Sequence, residues 1–323
     1  MSGLAPDLPR AELHLHIEGT LEPEQQFAFA QRNNLALRHE TPEDLRRAYT
    51  FTDLSGFLAM YYDGMSVLRT EQDYYDLAMA YFRKASEQNV VYAEIFFDPQ
   101  AHTSRGVPFQ AVIGGLDQAR NDAGQDLGLT AKLIMCFLRD MSQESAMRTL
   151  DQAAPYKDKI IGVGLDSDEA DNPPVKFADV FKRARDEGYR LTMHCDPDDK
   201  DSVHHIWQCL DDIGVERIDH GTNAVEDKSL LGRLGRDGIG LTVCPISNRW
   251  LTGTLKAAEI KTLLDSGAKP TVNSDDPAYF GGYIGENFAE VAAELTGDEV
   301  RALTRNAFEI AWLTDEEKAR YLT

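Results

Sequence analysis

The chain has 323 residues, 42% apolar and 27% charged, enough to bury a large core and too mixed in composition for disorder. Its 54 acidic against 33 basic side chains leave a formal charge of −21, which repels phosphate backbones and anionic lipid and argues against nucleic-acid and membrane partners. The four cysteines form no CxxC pair, the first ten residues hold no apolar signal core, and no apolar run is long enough to span a bilayer; a cytoplasmic protein with reduced, mostly buried thiols is expected.

In chain order, runs rich in β-branched and apolar residues occur at 12–17, 90–97, 131–138, 160–165, 190–194, 217–220, 240–244 and 270–273, and each reads as a strand. Between them lie helix-like stretches at 72–88, 108–123, 177–187, 202–213, 229–236 and 257–266. Alternation of this kind builds a parallel, crossover-linked sheet, and eight such units point to a closed (β/α)₈ barrel of the TIM type, one domain over residues 1–323. A doubly wound open sheet is the alternative, but it would not bring the first and eighth strands together. Residues 21–62, between the first two strands, break the alternation and read as extra helices over the barrel mouth.

Polar residues cluster at the C-terminal ends of these runs: His14 and His16, Asp166, His194, His220, then Asp275 and Asp276. In a barrel those ends converge on one mouth, where active sites of this fold sit. His14 and His16 lie two apart on a strand, so both imidazoles project to one face and can reach one metal. Three neutral imidazoles and one carboxylate suit zinc and leave a position for water, whose pKa the metal lowers toward neutrality. A fourth histidine, His220, is then free to take a proton from that water or orient it.

The runs Glu12-Leu13-His14-Leu15-His16-Ile17-Glu18-Gly19, Ile218-Asp219-His220-Gly221, Cys244-Pro245-Ile246-Ser247-Asn248 and Asn273-Ser274-Asp275-Asp276-Pro277 resemble the ordered motifs of the adenosine and adenine deaminase branch of the amidohydrolase superfamily. The resemblance implies one zinc ion per chain held by His14, His16, His194 and Asp275, a catalytic His220, and a small purine as substrate. It places Asp276 against purine N7, although Asp276 before Pro277 is also a natural helix N-cap. Gly164-Leu165-Asp166-Ser167, Asn172-Pro173-Pro174 and Asp276-Pro277-Ala278-Tyr279-Phe280-Gly281-Gly282-Tyr283 resemble the adenine branch, which acts on the free base. Ser167 falls where the family offers a backbone group to N3. Glu18 replaces an aspartate that nucleoside-acting members use to hold ribose, and reads equally as a loop carboxylate. The aromatic-rich stretch 51–62 reads either as a lid over the base or as core packing.

One motif departs from the pattern. Family members follow the fifth-strand histidine with Ala-Gly-Glu, the glutamate protonating N1; here His194-Cys195-Asp196-Pro197-Asp198-Asp199 puts Pro197 at its position. Either a neighbouring carboxylate reaches the ring through a reshaped loop, with Asp198 the expected substitute ahead of Asp196, or some other group handles N1. The remodelled loop keeps other readings open: a deaminase of N6-substituted adenines or another aminated heterocycle, or a metal-binding barrel without activity. The H-x-E and P-C-x-x-C signature of cytidine-type deaminases is absent, and His204-His205 in a polar stretch reads as a solvated helix.

Overall fold

The computed structural model describes residues 8–51 and 53–322; most of the segment read for a signal core, and Thr52 within the 51–62 stretch, lie outside the described residues. Strands β1 (Arg10–Glu12), β2 (Val90–Phe97), β3 (Thr130–Leu138), β4 (Ile160–Asp166), β5 (Arg190–Cys195), β6 (Arg217–His220), β7 (Gly240–Val243) and β8 (Lys269–Val272) follow one another round a parallel sheet in chain order. Helices cover the outside and side chains fill the inside, so the strands are buried on both faces and their sequences run apolar without alternation.

The ring closes between β8 and β1 by a bridge, not a ladder. Leu15 pairs with Asp275 on one side and His16 with Phe96 on the other. His16 N donates to Asp275 O at 3.0 Å, Asp275 N to His14 O at 3.1 Å, and Leu13 N to the Asn273 side chain at 2.8 Å. The first strand therefore departs from the expected 12–17: regular pairing covers only Arg10–Glu12, and a register shift between Arg10 and Ala11 together with the Asn273 side chain takes up groups that a ladder would use.

Between β1 and β2 the chain inserts α1 (Pro23–Arg32), α2 (Pro42–Ala48) and α3 (Leu54–Gly64) before the crossover α4 (Glu71–Glu87), in agreement with the extra helices expected there. Helix Gln143–Ala153 and the C-terminal helices Ile284–Ala292, Gly297–Ile310 and Asp315–Leu322 had no counterpart in the pattern reading. At the N-terminal end of the barrel, buried Arg217 donates to Glu94 Oε2 at 2.5 Å and lies over the Trp312 ring at 4.4 Å; Trp312 N donates to Glu94 Oε1 at 2.6 Å. Gly162 is needed here, since a Cβ would stand 2.4 Å from that indole. Among the described residues no helix is long and apolar enough to cross a membrane.

Candidate active site

The C-terminal strand ends bring His14, His16, His194 and Asp275 together, all buried. His194 Nε2 lies 3.1 Å from both His14 Nε2 and His16 Nε2, and Asp275 Oδ1 lies 3.2 Å from His14 Nε2 and 3.5 Å from His16 Nε2. A tetrahedron with ~2.05 Å metal–ligand bonds has edges of about 3.3 Å, so the spacing fits zinc. The far ring nitrogens are engaged as such ligands require. Thr242 gives its hydroxyl proton to Asp219 Oδ1 at 2.7 Å, so its oxygen accepts from His14 Nδ1–H at 2.9 Å. His194 Nδ1–H donates to Leu165 O at 3.0 Å. Both tautomers leave bare Nε2 lone pairs facing inward. Burial holds His16 neutral, down to about 4, and His194 well below the ordinary histidine value. Burial raises the Asp275 carboxyl, but the charge that His14, His220 and His16 carry when protonated outweighs it and sets the net direction well below the ordinary carboxylate value.

Above this cluster lies a cavity lined by His220, Asp196, Asp276, Ser167, Asp98 and Asp166, and roofed by Leu54, Phe57, Leu58, Tyr61 and Tyr62 of α3. The 51–62 stretch thus both packs and covers: Phe57 and Tyr61 are buried against Tyr279 and Phe280, while Tyr62 donates to Ser167 Oγ at 2.8 Å. Ser167, His220 and Asp275 take φ values of 76°, 56° and 66°, left-handed conformations that turn each strand end sharply at the mouth. Non-glycine residues reach that region at a cost of order 1 kcal/mol, a feature concentrated at functional sites.

His220 Nδ1–H donates to Asn248 Oδ1 at 3.3 Å, leaving Nε2 bare, 3.5 Å from Asp196 Oδ1 and 3.6 Å from Asp275 Oδ2. Burial lowers its pKa to about 4, so it is a neutral base at pH 7. Asp276 sits at the N-cap of Pro277–Phe280 yet its side chain makes no cap bond; its Oδ1 is buried without a partner. Burial, then the charge of Asp275, raises the Asp276 carboxyl well above the carboxylate range. Gly19 lets it fit, since a Cβ there would meet Asp276 Oδ1 at 2.1 Å.

Asp198 and His205 are placed differently from expectation, and Glu18 takes the second of its two readings, a carboxylate behind the site. Asp198, the expected stand-in acid, is exposed and outside the cavity lining, because the turn through buried Pro197 sends it outward. Asp196 occupies the lining instead, and burial, then Glu169, raises its carboxyl well above the carboxylate range. Glu18 is fully buried but not in the lining: its Oε1 accepts from Asp98 N at 3.1 Å and His102 Nε2 at 2.8 Å. His204 is exposed as expected, but His205 is buried and bonds Glu169 Oε1 at 2.5 Å. Glu169 also takes the Asp196 amide at 2.7 Å, so it fixes the remodelled loop. Sequence reasoning missed Asp98, Thr242 and Glu169; for Asp98 the signal was available, an acid directly after the second strand.

Fold and site together define a barrel hydrolase of the amidohydrolase kind. The family model described as Adenosine deaminase matches residues 9–323, and the chain belongs to that family. An adenine deaminase of Streptomyces coelicolor is 52% identical over 321 residues, 98% of this chain and 94% of that one. The crystal structure of an adenine deaminase from Arthrobacter aurescens matches with a TM-score of 0.94 at 44% identity, covering 98% of this chain and 97% of that one. An amidohydrolase from Burkholderia ambifaria with bound Zn matches with a TM-score of 0.89 at 26% identity, covering 99% and 92%. The chain is a hydrolytic deaminase, and its four free cysteines are buried.

Proposed function

We propose that the enzyme hydrolyses adenine to hypoxanthine and ammonia with one zinc ion per chain, held by His14, His16, His194 and Asp275. The observation that carries this reading is the set of groups lining the cavity beside the His14, His16, His194 and Asp275 cluster. Ring nitrogens N1, N3 and N7 of adenine are hydrogen-bond acceptors, and Asp196, Ser167 and Asp276 line the cavity that receives them, with burial raising both carboxyls toward their donating, protonated forms. Bound zinc supplies a water acidified enough to attack C6.

Asp196 gives its proton to N1, which makes C6 electrophilic, while His220 takes the proton that the attacking water sheds. Asp276 holds N7 and Ser167 holds N3, fixing the ring. The hydroxyl proton at C6 then passes through the Asp196 carboxylate to the amino group, which leaves as ammonia, and the new C6 carbonyl forms. His220 Nε2 stands 3.5 Å from Asp196 Oδ1, so the proton it holds can restore the acid. N1 keeps the proton it received, and the two protons of water are accounted for.

The test is turnover by zinc-loaded protein of adenine, adenosine and N6-substituted adenines, followed as hypoxanthine and as released ammonia or amine. Hypoxanthine from adenine, abolished in His16→Ala along with zinc binding, is the expected result. Turnover confined to N6-substituted bases moves the substrate, and no turnover with zinc bound overturns the proposal.

A further inference from the structure

The cavity contains an acid that the proposed chemistry leaves unused. Asp98 follows the last residue of β2, is 2% exposed and lines the cavity, and its Oδ1 has no hydrogen-bond partner. It is held from behind by a buried relay. Its amide donates to Glu18 Oε1 at 3.1 Å, His102 Nε2 lies 2.8 Å from the same oxygen, and Arg105 donates to His102 Nδ1 at 2.6 Å. A buried oxygen left unsatisfied by the protein and fixed this firmly is prepared for a donor on the ligand. Its neighbour Asp166 is turned toward His16, with Oδ2 at 3.5 Å from Nδ1.

The order of strands identifies that donor. Strands run β1 to β8 round the mouth, with Asp98 after β2, Ser167 after β4, Asp196 after β5 and Asp276 after β8. The perimeter of a purine runs N1, N3, N9, N7. With C6 at the metal ligands, N1 at Asp196, N3 at Ser167 and N7 at Asp276, N9 falls on the arc from β4 back to β8 through β2. Asp98 is the cavity carboxyl at the middle of that arc. Burial, then the charge of Asp166, raises it well above the carboxylate range, but a neutral carboxyl keeps one carbonyl oxygen as an acceptor, and N9–H is the one ring N–H of the common tautomer of free adenine. We propose that Asp98 accepts the hydrogen bond from N9–H and thereby restricts the enzyme to free bases, since a substituent on N9 removes the donor and presses against a buried, unpaired oxygen. Glu18 is then a positioning residue that acts through the Asp98 amide.

This inference rests on the proposed adenine reaction. Sites built to hydrogen-bond an N–H or O–H reject analogues lacking it by about 10⁴–10⁵-fold. The experiment compares kcat/KM for adenine and 9-methyladenine in wild type, Asp98→Leu and Asp98→Ala, with zinc content measured in each. Wild type is expected to favour adenine by at least about 10³-fold. Both variants are expected to lose about 10²-fold on adenine at unchanged zinc content, with 9-methyladenine unchanged or improved. Equal losses on both substrates, or full adenine activity in Asp98→Leu, overturn the proposal. So does comparable turnover of the two bases by wild type, a result that needs no variant to fold. Wild type inactive on adenine while zinc is bound is instead the failure of the proposed function, and this inference falls with it.

Discussion

At the scale of single residues, the site depends on which carboxyls are charged. Asp275 and Asp276 are adjacent in sequence, yet the imidazoles, against burial, set the first well below the ordinary carboxylate value, while burial and the charge of Asp275 set the second well above it. Asp196 and Asp198 divide by position, one lining the cavity and one exposed outside it. Asp196→Asn is therefore expected to lower kcat about 10²–10⁴-fold, the usual worth of general acid catalysis, while Asp198→Asn stays within about twofold of wild type. The pH–rate profile checks the assignment separately. Asp196 must be protonated to act, so kcat/KM falls as pH rises through its raised pKa, and the Asn variant, which cannot titrate there, lacks that limb. Equal loss in both variants would return the role to the loop as a whole.

At the scale of elements, Asp73 joins the inserted helices to the barrel. It stands in the first turn of α4, where its carboxylate accepts from the backbone amides of Arg69 and Thr70 and from the Thr70 hydroxyl. It also accepts from Arg32 Nη1 at 2.9 Å and Asn33 Nδ2 at 2.8 Å, at the end of α1. Burial would raise its pKa, but Asn33 and the amides hold it below the ordinary value. Asp73→Ala is expected to cost about 2–3 kcal/mol in urea denaturation. Because the folded-state pKa is the lower one, that contribution is complete above the ordinary aspartate value and disappears as pH falls through the folded one, so wild type and variant converge in acid. Elements of this kind differ in how far they can be read from sequence. Strands β2 to β4 were legible because burial on both faces leaves long apolar runs, and helix Ala257–Ser266 because one face is apolar. The first strand was not, since its pairing depends on the Asn273 side chain, far along the chain. Within the site, His14, His16, His194, His220 and Asp275 stood out as polar residues ending apolar strands. Asp196 was passed over for Asp198 because the direction of the turn is set by packing of Pro197 and by Glu169, which local sequence does not encode.

At the scale of the whole molecule, the two ends of the barrel are built on opposite terms. The mouth converges carboxyls and imidazoles on a ligand, whereas the other end is sealed by Arg217, Glu94 and Trp312 with every charge matched inside the protein. Arg217→Met is expected to cost about 3–5 kcal/mol by leaving Glu94 buried and unpaired. Adding Glu94→Gln removes the stranded charge and should recover much of that loss, measured as denaturant midpoints of wild type, single and double variants. A double variant no more stable than Arg217→Met would mean that packing, not charge, dominates at the seal. The seal draws on β2, on β6 and on a residue beyond the last long crossover, Trp312. A ribosome must therefore release almost the entire chain before Glu94 meets its last partner, and until then the nascent barrel carries an unsealed floor and unjoined first and last strands, surfaces that chaperones bind.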